Sequence, residues 1–308
     1  GPGRDPRSLL MTDDTTGQSA PLADVRTLAL YGVGLINGSL GLALRARGFA
    51  GRIVGVGRRE RTLRAAADRG AIDSYGTDPS AAADADLVVV GTPVDITVDV
   101  IAELTQNTRP STIYSDVGSV KAGIVTECAA RLPDARFVGA HPIAGSERAG
   151  VEHASADLFD GAKCVVTTGP GADEEAGGVV RRLWETVGSQ VITLPADVHD
   201  VLLAASSHLP HVVATALTHV VCGKAADGAQ AAEFGGGGLR DTTRVALGSS
   251  EIWTPIVVAN AEPVAALAER MADELLQLAG RLRRGDAGAV DAWLERGREL
   301  RAEITDGI

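Results

Sequence analysis

TLALYGVGLINGSL, residues 27–40, passes from an apolar run through a glycine-rich turn into helix-forming residues. Thr27 to Tyr31 reads as a buried strand, and the glycines that follow suit a strand-turn-helix that receives a dinucleotide. Gly32 permits the tight turn, and Gly34 lets the main chain approach a pyrophosphate. The helix that starts at Leu35 and Ile36 offers unpaired N–H groups to that charge. Asn37 departs from the pattern, because a Gly or Ala normally stands there to let helix and strand pack closely, and Gly38 comes one place later. A turn with no ligand is the competing reading, and the strand-turn-helix context favours the nucleotide.

From Arg26 onward, short apolar runs alternate with longer helical segments, the mark of βαβ units around a parallel sheet. Residues 27–31, 53–56, 87–90, 112–114, 137–139, 164–168 and 191–193 read as strands, and 40–47, 61–69, 96–104, 120–131 and 174–187 as helices. After Pro195 the strands stop. The remaining third is rich in Ala and Leu at helical spacing, with a long segment over 262–284, so a boundary is expected near residue 195. The expected division is a tag remnant and disordered tail over 1–20, a dinucleotide-binding domain over 21–195, and a helical substrate and dimerisation domain over 196–308. Gly235 to Gly238 reads as a flexible loop, since no Lys-Ser/Thr pair follows to make it a phosphate loop.

A formal charge of -11 with 3% aromatic residues argues against a nucleic-acid partner, which calls for a basic surface and stacking platforms. Cys128, Cys164 and Cys222 are odd in number and widely spaced, which suggests neither a disulfide framework nor a zinc site and fits a reducing cytoplasm. The sequence is read as holding no apolar run near the 18–20 residues of a membrane helix and no signal peptide, so a cytoplasmic location and no membrane partner are expected.

The second strand ends in Gly55-Val56-Gly57-Arg58-Arg59, where an acidic residue would take the ribose hydroxyls of NAD. Gly57 removes that carboxylate, and Arg58 and Arg59 suit a 2'-phosphate, so NADP is favoured and NAD stays possible. Two solvated surface arginines are the plainer alternative. Thr92 and Pro93 follow the strand ending at Val90 and would meet the cofactor at the carboxyl edge of the sheet.

Three polar clusters fall at strand ends or helix starts: DVGSVK at 116–121, HPIAGSE at 141–147 and SHLPH at 207–211, the last preceded by Asp197, His199 and Asp200. His208 and His211 would share one face of a helical turn, and a metal pair there lacks a third ligand with supporting spacing. RDTTR follows at 240–244.

In this order, GxGLIxGSL, DVGSVK, HPIAGSE, SHLPH and RDTTR resemble the prephenate/arogenate dehydrogenase family across residues 25–262. The resemblance implies a Rossmann-type domain followed by an all-helical dimerisation domain, NAD(P), a homodimer, and oxidative decarboxylation of a cyclohexadienol in tyrosine biosynthesis. It casts His141 as the group that draws the proton from the substrate's ring hydroxyl, a task suited to an imidazole of pKa about 6.5. Ser119 resembles the hydroxyl that holds His141 together with substrate or nicotinamide. His211 resembles a substrate contact with His208 in support, and Arg244 a carboxylate grip positioned by Asp241. Trp253 resembles a pocket aromatic, and Glu147 with Asp200 an ionic network controlling access. Each has a plainer reading as a core residue or surface ion pair.

The rivals are a 4-amino-4-deoxyprephenate dehydrogenase, a β-hydroxyacid dehydrogenase or imine reductase, and a nucleotide-sensing dimer without turnover. The hydroxyacid enzymes use a Lys on an interdomain helix, and none of Lys121, Lys163 and Lys224 has that setting.

Overall fold

The computed structural model describes residues 22–145, 148–168, 173–223, 225–226 and 229–306. Two compact units are present, one ending at Asn260 and the other beginning at Ala261.

The first unit opens with β1 (Thr27–Tyr31), α1 (Leu35–Ala46), β2 (Arg52–Val56), α2 (Glu60–Asp68) and β3 (Ser74–Gly76). It continues with β4 (Leu87–Val90), α3 (Thr97–Thr105), β5 (Ile113–Asp116), α4 (Ala122–Arg131) and β6 (Arg136–Val138). These strands form a sheet in the order β3-β2-β1-β4-β5-β6, parallel at every pairing. That is the Rossmann order, and the chain reverses direction across the sheet between β1 and β4, where such sheets bind nucleotides.

Alternation along the strands sends side chains to two cores. Leu28, Leu30, Ile53, Leu87 and Val89 pack on one face with Leu40 and Leu44 of α1. Ala29, Val54, Val88, Val90 and Tyr114 pack on the other with Val98 and Ile101 of α3. Burial on both faces explains why the strands read as apolar runs rather than alternating ones.

The sequence reading of one parallel sheet needs correction. After β6, Gly139 turns the chain into β7 (Ala140–Pro142), which pairs antiparallel with β8 (Lys163–Thr168). Past α5 (Glu174–Thr186), β9 (Gln190–Pro195) joins β8 in parallel, making a second, three-stranded sheet. His141 therefore lies within a strand rather than after one. The tolerance of β7 for Pro142 follows from its edge position, where a missing N–H costs no ladder bond.

From residue 196 the chain is helical: α6 (Ala196–Leu203), a π turn over Ala204–His208, α7 (Leu209–Cys222), α8 (Gly237–Thr243) and α9 (Ser250–Ala259). A two-residue ladder, Ala225–Ala226 with Ala229–Gln230, interrupts it. Gly237 and Gly238 open α8 rather than lying in a loop. The second unit holds α10 (Ala261–Arg283) and α11 (Ala287–Asp306), an antiparallel pair where Trp293 Nε1 donates to Glu274 at 3.2 Å.

Ala196–Cys222 forms one helical run that by length and composition could cross a membrane, contrary to the expectation that no run approaches that length. Its buried His199, Asp200 and His208 are hydrogen-bonded to protein groups outside the run, which ties it to the folded unit. In hydrocarbon these polar groups would be costly.

Helix α1 lies against the turn after α2 so closely that a Cβ on Gly41 would stand 2.0 Å from the Ala71 carbonyl oxygen. Gly41→Ala should lower the unfolding free energy in urea by at least about 1 kcal/mol, despite the roughly 1 kcal/mol that Ala gains in helix propensity. Unchanged or raised stability would show that the helix is free to shift.

Candidate functional site

At the carboxyl edge of the sheet, Gly32 adopts φ +77°, and a Cβ there would stand 2.7 Å from the Gly91 carbonyl oxygen. Around a Cβ on Gly34 there is nothing within 4 Å. Gly34 caps α1 without any side-chain hydrogen bond, so the first amides of the helix, from Leu35 and Ile36, have no side-chain cap. This cradle fits a pyrophosphate.

Asn37 is not a defect in the pattern. Its Nδ2 donates to the Tyr31 carbonyl at 3.0 Å and the Val89 carbonyl at 3.1 Å, stitching the helix to β1 and β4. Gly91 makes room for it, since a Cβ there would meet Asn37 Nδ2 at 2.7 Å. The need for a small residue moves to Gly38, whose Cβ would stand 2.8 Å from Val151 Cγ2.

Arg58 and Arg59 follow Gly57 at the end of β2, both exposed, and neither forms a salt bridge among the described residues. Pro93 caps the short turn Val94–Ile96, and Thr92 Oγ1 lies 3.2 Å from Thr97 Oγ1.

The register places Tyr31 beside Val90 and Val90 beside Asp116, one row along the sheet edge. Asp116 is fully buried and ion-paired with the fully buried Lys121. Its Oδ2 also accepts from the Gly118 amide at 2.9 Å, and its Oδ1 from the Ala140 amide at 3.2 Å. The residue after Ala140 is His141. Two strand spacings, about 10 Å, thus separate the glycine turn from Asp116, and His141's strand lies beyond it.

His141 Nδ1 lies 2.8 Å from His199 Nε2, and His199 Nδ1 lies 2.7 Å from Asp200 Oδ1. Asp200 accepts from the Lys121 amide at 2.7 Å and the Ala122 amide at 2.9 Å, which begin α4. The partner that the structure gives the His141 ring is therefore His199 and not Ser119, which sits half-buried in the preceding loop. Asp200 is a buried anchor here, 5% exposed. Glu147, expected to pair with it, lies outside the described residues.

Asn260 Nδ2 donates to the Asp200 carbonyl at 2.7 Å and to His208 Nδ1 at 3.1 Å. Because a carbonyl only accepts, that atom must be the amide nitrogen. His208, when neutral, then carries its proton on Nε2. That nitrogen is buried and unpartnered among the described residues, as is Nδ1 of His211. His211 stacks on Trp253 with ring centroids 3.7 Å apart and planes 10° from parallel, and His208 meets the same indole edge-on at 6.3 Å. Gly248 allows this, since a Cβ there would stand 2.4 Å from Trp253 Nε1. Trp253 packs on the core cluster that holds Val90 and Val94, and its helix α9 lies against the turn Val94–Ile96 that follows β4.

Arg244 starts the short turn Arg244–Leu247, and the Val245 main chain hydrogen-bonds to His211. Asp241 lies 3.9 Å from Arg240 Nε, with both side chains about 80% exposed. The sequence reading named His199 without giving it a role and did not single out Asn260. A histidine next to an aspartate in a helix carries no signal of what it will face.

Burial pushes His141 well below the ordinary imidazole range, reinforced by His199, Lys121 and His208. Burial likewise lowers His208 and His211. For Asp200 burial acts upward, but hydrogen bonds from His199, Ala122 and Lys121 outweigh it and hold its carboxyl below the usual range.

Fold and site together define a nucleotide-binding protein of the Rossmann class with a helical C-terminal part. Residues 40–193 match the model of the prephenate dehydrogenase nucleotide-binding domain, and 195–296 match that of its dimerization domain. The chain belongs to the prephenate dehydrogenase family. It is 29% identical over 281 residues to a prephenate dehydrogenase of Lactococcus lactis, covering 90% of this chain and 77% of that one. Its structure resembles the prephenate dehydrogenase of Aquifex aeolicus in complex with hydroxyphenyl propionate and NAD+ (TM-score 0.86, 31% identity, 91% and 98% of the two chains). It also resembles the arogenate dehydrogenase of Synechocystis (TM-score 0.77, 28% identity, 90% and 99%).

In the folded protein the three depressed imidazoles stay neutral at pH values where the unfolded chain, with pKa near 6.5, binds protons. Stability should therefore fall as pH drops from 7.5 to 5.5, by up to about 1.4 kcal/mol per pH unit for each such group. Asp200, with its carboxyl depressed, contributes stability that is lost only nearer pH 4 and below. Urea unfolding across this range tests it, and a flat profile above pH 5.5 would contradict the burial assigned to the cluster.

Proposed function

We propose that this chain is an NAD(P)-dependent dehydrogenase that oxidatively decarboxylates prephenate or arogenate, forming the aromatic ring of tyrosine. The observation that carries the reading is His141, held on β7 by the hydrogen bond of the neighbouring Ala140 amide to Asp116, which itself ends the strand two places from the glycine turn. Family membership supports it, as do the similar proteins named for these reactions.

The amides opening α1 hold the cofactor's pyrophosphate. When bound, the nicotinamide supplies the hydride acceptor. His141 Nε2 takes the proton of the ring hydroxyl as it becomes a carbonyl, and Ser119 helps to hold the substrate or nicotinamide. Low pKa keeps His141 in its basic form at neutral pH. Arg244 grips a substrate carboxylate with a planar fork suited to two-point contact, and Trp253 with His211 walls the ring. Arg58 and Arg59, exposed where an acid would select NAD, favour NADP.

The assay is absorbance at 340 nm, crossing prephenate, arogenate and the 4-amino-4-deoxy analogue with NAD and NADP. Turnover of prephenate or arogenate is expected, faster at low cofactor concentration with NADP, while activity on the amino analogue alone would replace the reading. His141→Asn should keep cofactor affinity and reduce kcat by about two to four orders of magnitude. Unchanged turnover would remove His141 from the chemistry.

The functional division falls at residue 195, with residues 196–308 forming a homodimer. Exposed apolar side chains support this, among them Val201, Leu202, Val220 and Val258 of the first unit and Leu275, Leu276 and Leu294 of the second. Light scattering after size exclusion should give twice the 31.6 kDa chain mass, and a monomer at micromolar concentration would refute it.

A further inference from the structure

We infer that His199 and Asp200 form a relay that sets the tautomer of His141 and takes up the positive charge when His141 accepts a proton. The inference rests on the reading of His141 as the base. Direction of bonding leads from one group to the next. Both Asp200 oxygens accept main-chain N–H groups, so the carboxylate is ionised and acts only as an acceptor. His199 Nδ1, at 2.7 Å, must then carry hydrogen. With the ring neutral, His199 Nε2 is a bare lone pair. The 2.8 Å contact to His141 Nδ1 then requires the hydrogen on that nitrogen. His141 Nε2 is left without a proton, which is the form a base requires.

The same chain answers a difficulty in the site. A proton held by His141 alone would place a cation where burial opposes it, with the Lys121 ammonium nearby. In the relay, the substrate O–H bond breaks and His141 Nε2–H forms. Then His141 Nδ1–H breaks and His199 Nε2–H forms. The charge comes to rest on His199 against the Asp200 carboxylate, and His141 ends neutral in its other tautomer. The remaining titratable groups that face His141 do not compete for the role. The Lys121 ammonium is paired with Asp116, His208 Nδ1 is bonded by Asn260, and burial pushes the Cys164 thiol well above its ordinary value.

His199 is thus a positioning residue that acts through His141. Gln at this place can still donate to Asp200 and accept from His141, but it cannot carry the proton. His199→Gln should lower kcat at least about tenfold, within the roughly 10²–10⁴ of a general base, with KM within about twofold of the parent. The acid limb of its kcat–pH profile should move to lower pH, because His141 must then hold the charge unaided. In the His141→Asn background the same change should cost less than about twofold further, since two residues acting as a unit are not additive. In the unaltered protein, ¹⁵N spectra of labelled histidine should show His141 Nε2 as the unprotonated nitrogen and Nδ1 as the protonated one.

Several results would overturn the relay while leaving the base reading intact: unchanged kcat and acid limb in His199→Gln, losses that multiply in the double variant, or the opposite tautomer in the spectra. Wild-type turnover in His141→Asn would instead remove the base reading beneath it. The spectra need no variant, so they decide the tautomer even where His199→Gln fails to fold.

Discussion

One buried carboxylate holds two sheets in register. Asp116 ends the fifth strand of the Rossmann sheet, accepts the amide that opens β7, and is neutralised by a lysine with no exposed surface. Ionic groups this deep are costly unless every partner is supplied, and removing one partner leaves an uncompensated charge. The arrangement therefore tolerates little displacement. Its consequence is that His141, one residue beyond that amide, is tied to the strand that lies two places along the sheet from the glycine turn.

Around this junction the helical segment brings its own polar groups to the same edge. Four of the six histidines, His141, His199, His208 and His211, gather with Trp253 and Asn260. His199, His208 and His211 are buried, so hydrogen-bond direction does much to place the protons of the cluster. Asp200 sets that direction from one end and the Asn260 amide from the other. The same desolvation that makes the imidazoles basic-form ligands at neutral pH makes the fold sensitive to acid.

Much of the fold is legible in the sequence. Residues 27–31 and 87–90 were read as strands with the bounds they have, because buried parallel strands are short, apolar and β-branched. The misses have physical causes. Ser74–Gly76 is an exposed edge of three residues with no apolar run to announce it. β7 was hidden because its residues, including His141 and Pro142, read as a polar motif after a strand. Ala196–Cys222 escapes notice as a long apolar helix because its histidines and aspartates break the run in sequence, although His199, Asp200, His208 and His211 are buried in space.

Sequence alone determined the glycine turn, most of the strands and helices before residue 195, the change to helix after Pro195, and the residues worth suspecting. These follow from local rules: the backbone freedom of glycine, the periodicity of apolar residues, and motif spacing. Only the tertiary structure decided that Asn37 stitches β1 to β4, that His141 faces His199 rather than Ser119, and that Asp200 is an anchor sealed inside the fold. Those pairings join residues 52 to 79 positions apart. No local rule reaches across such separations, because which groups meet depends on how the sheets and helices close over one another.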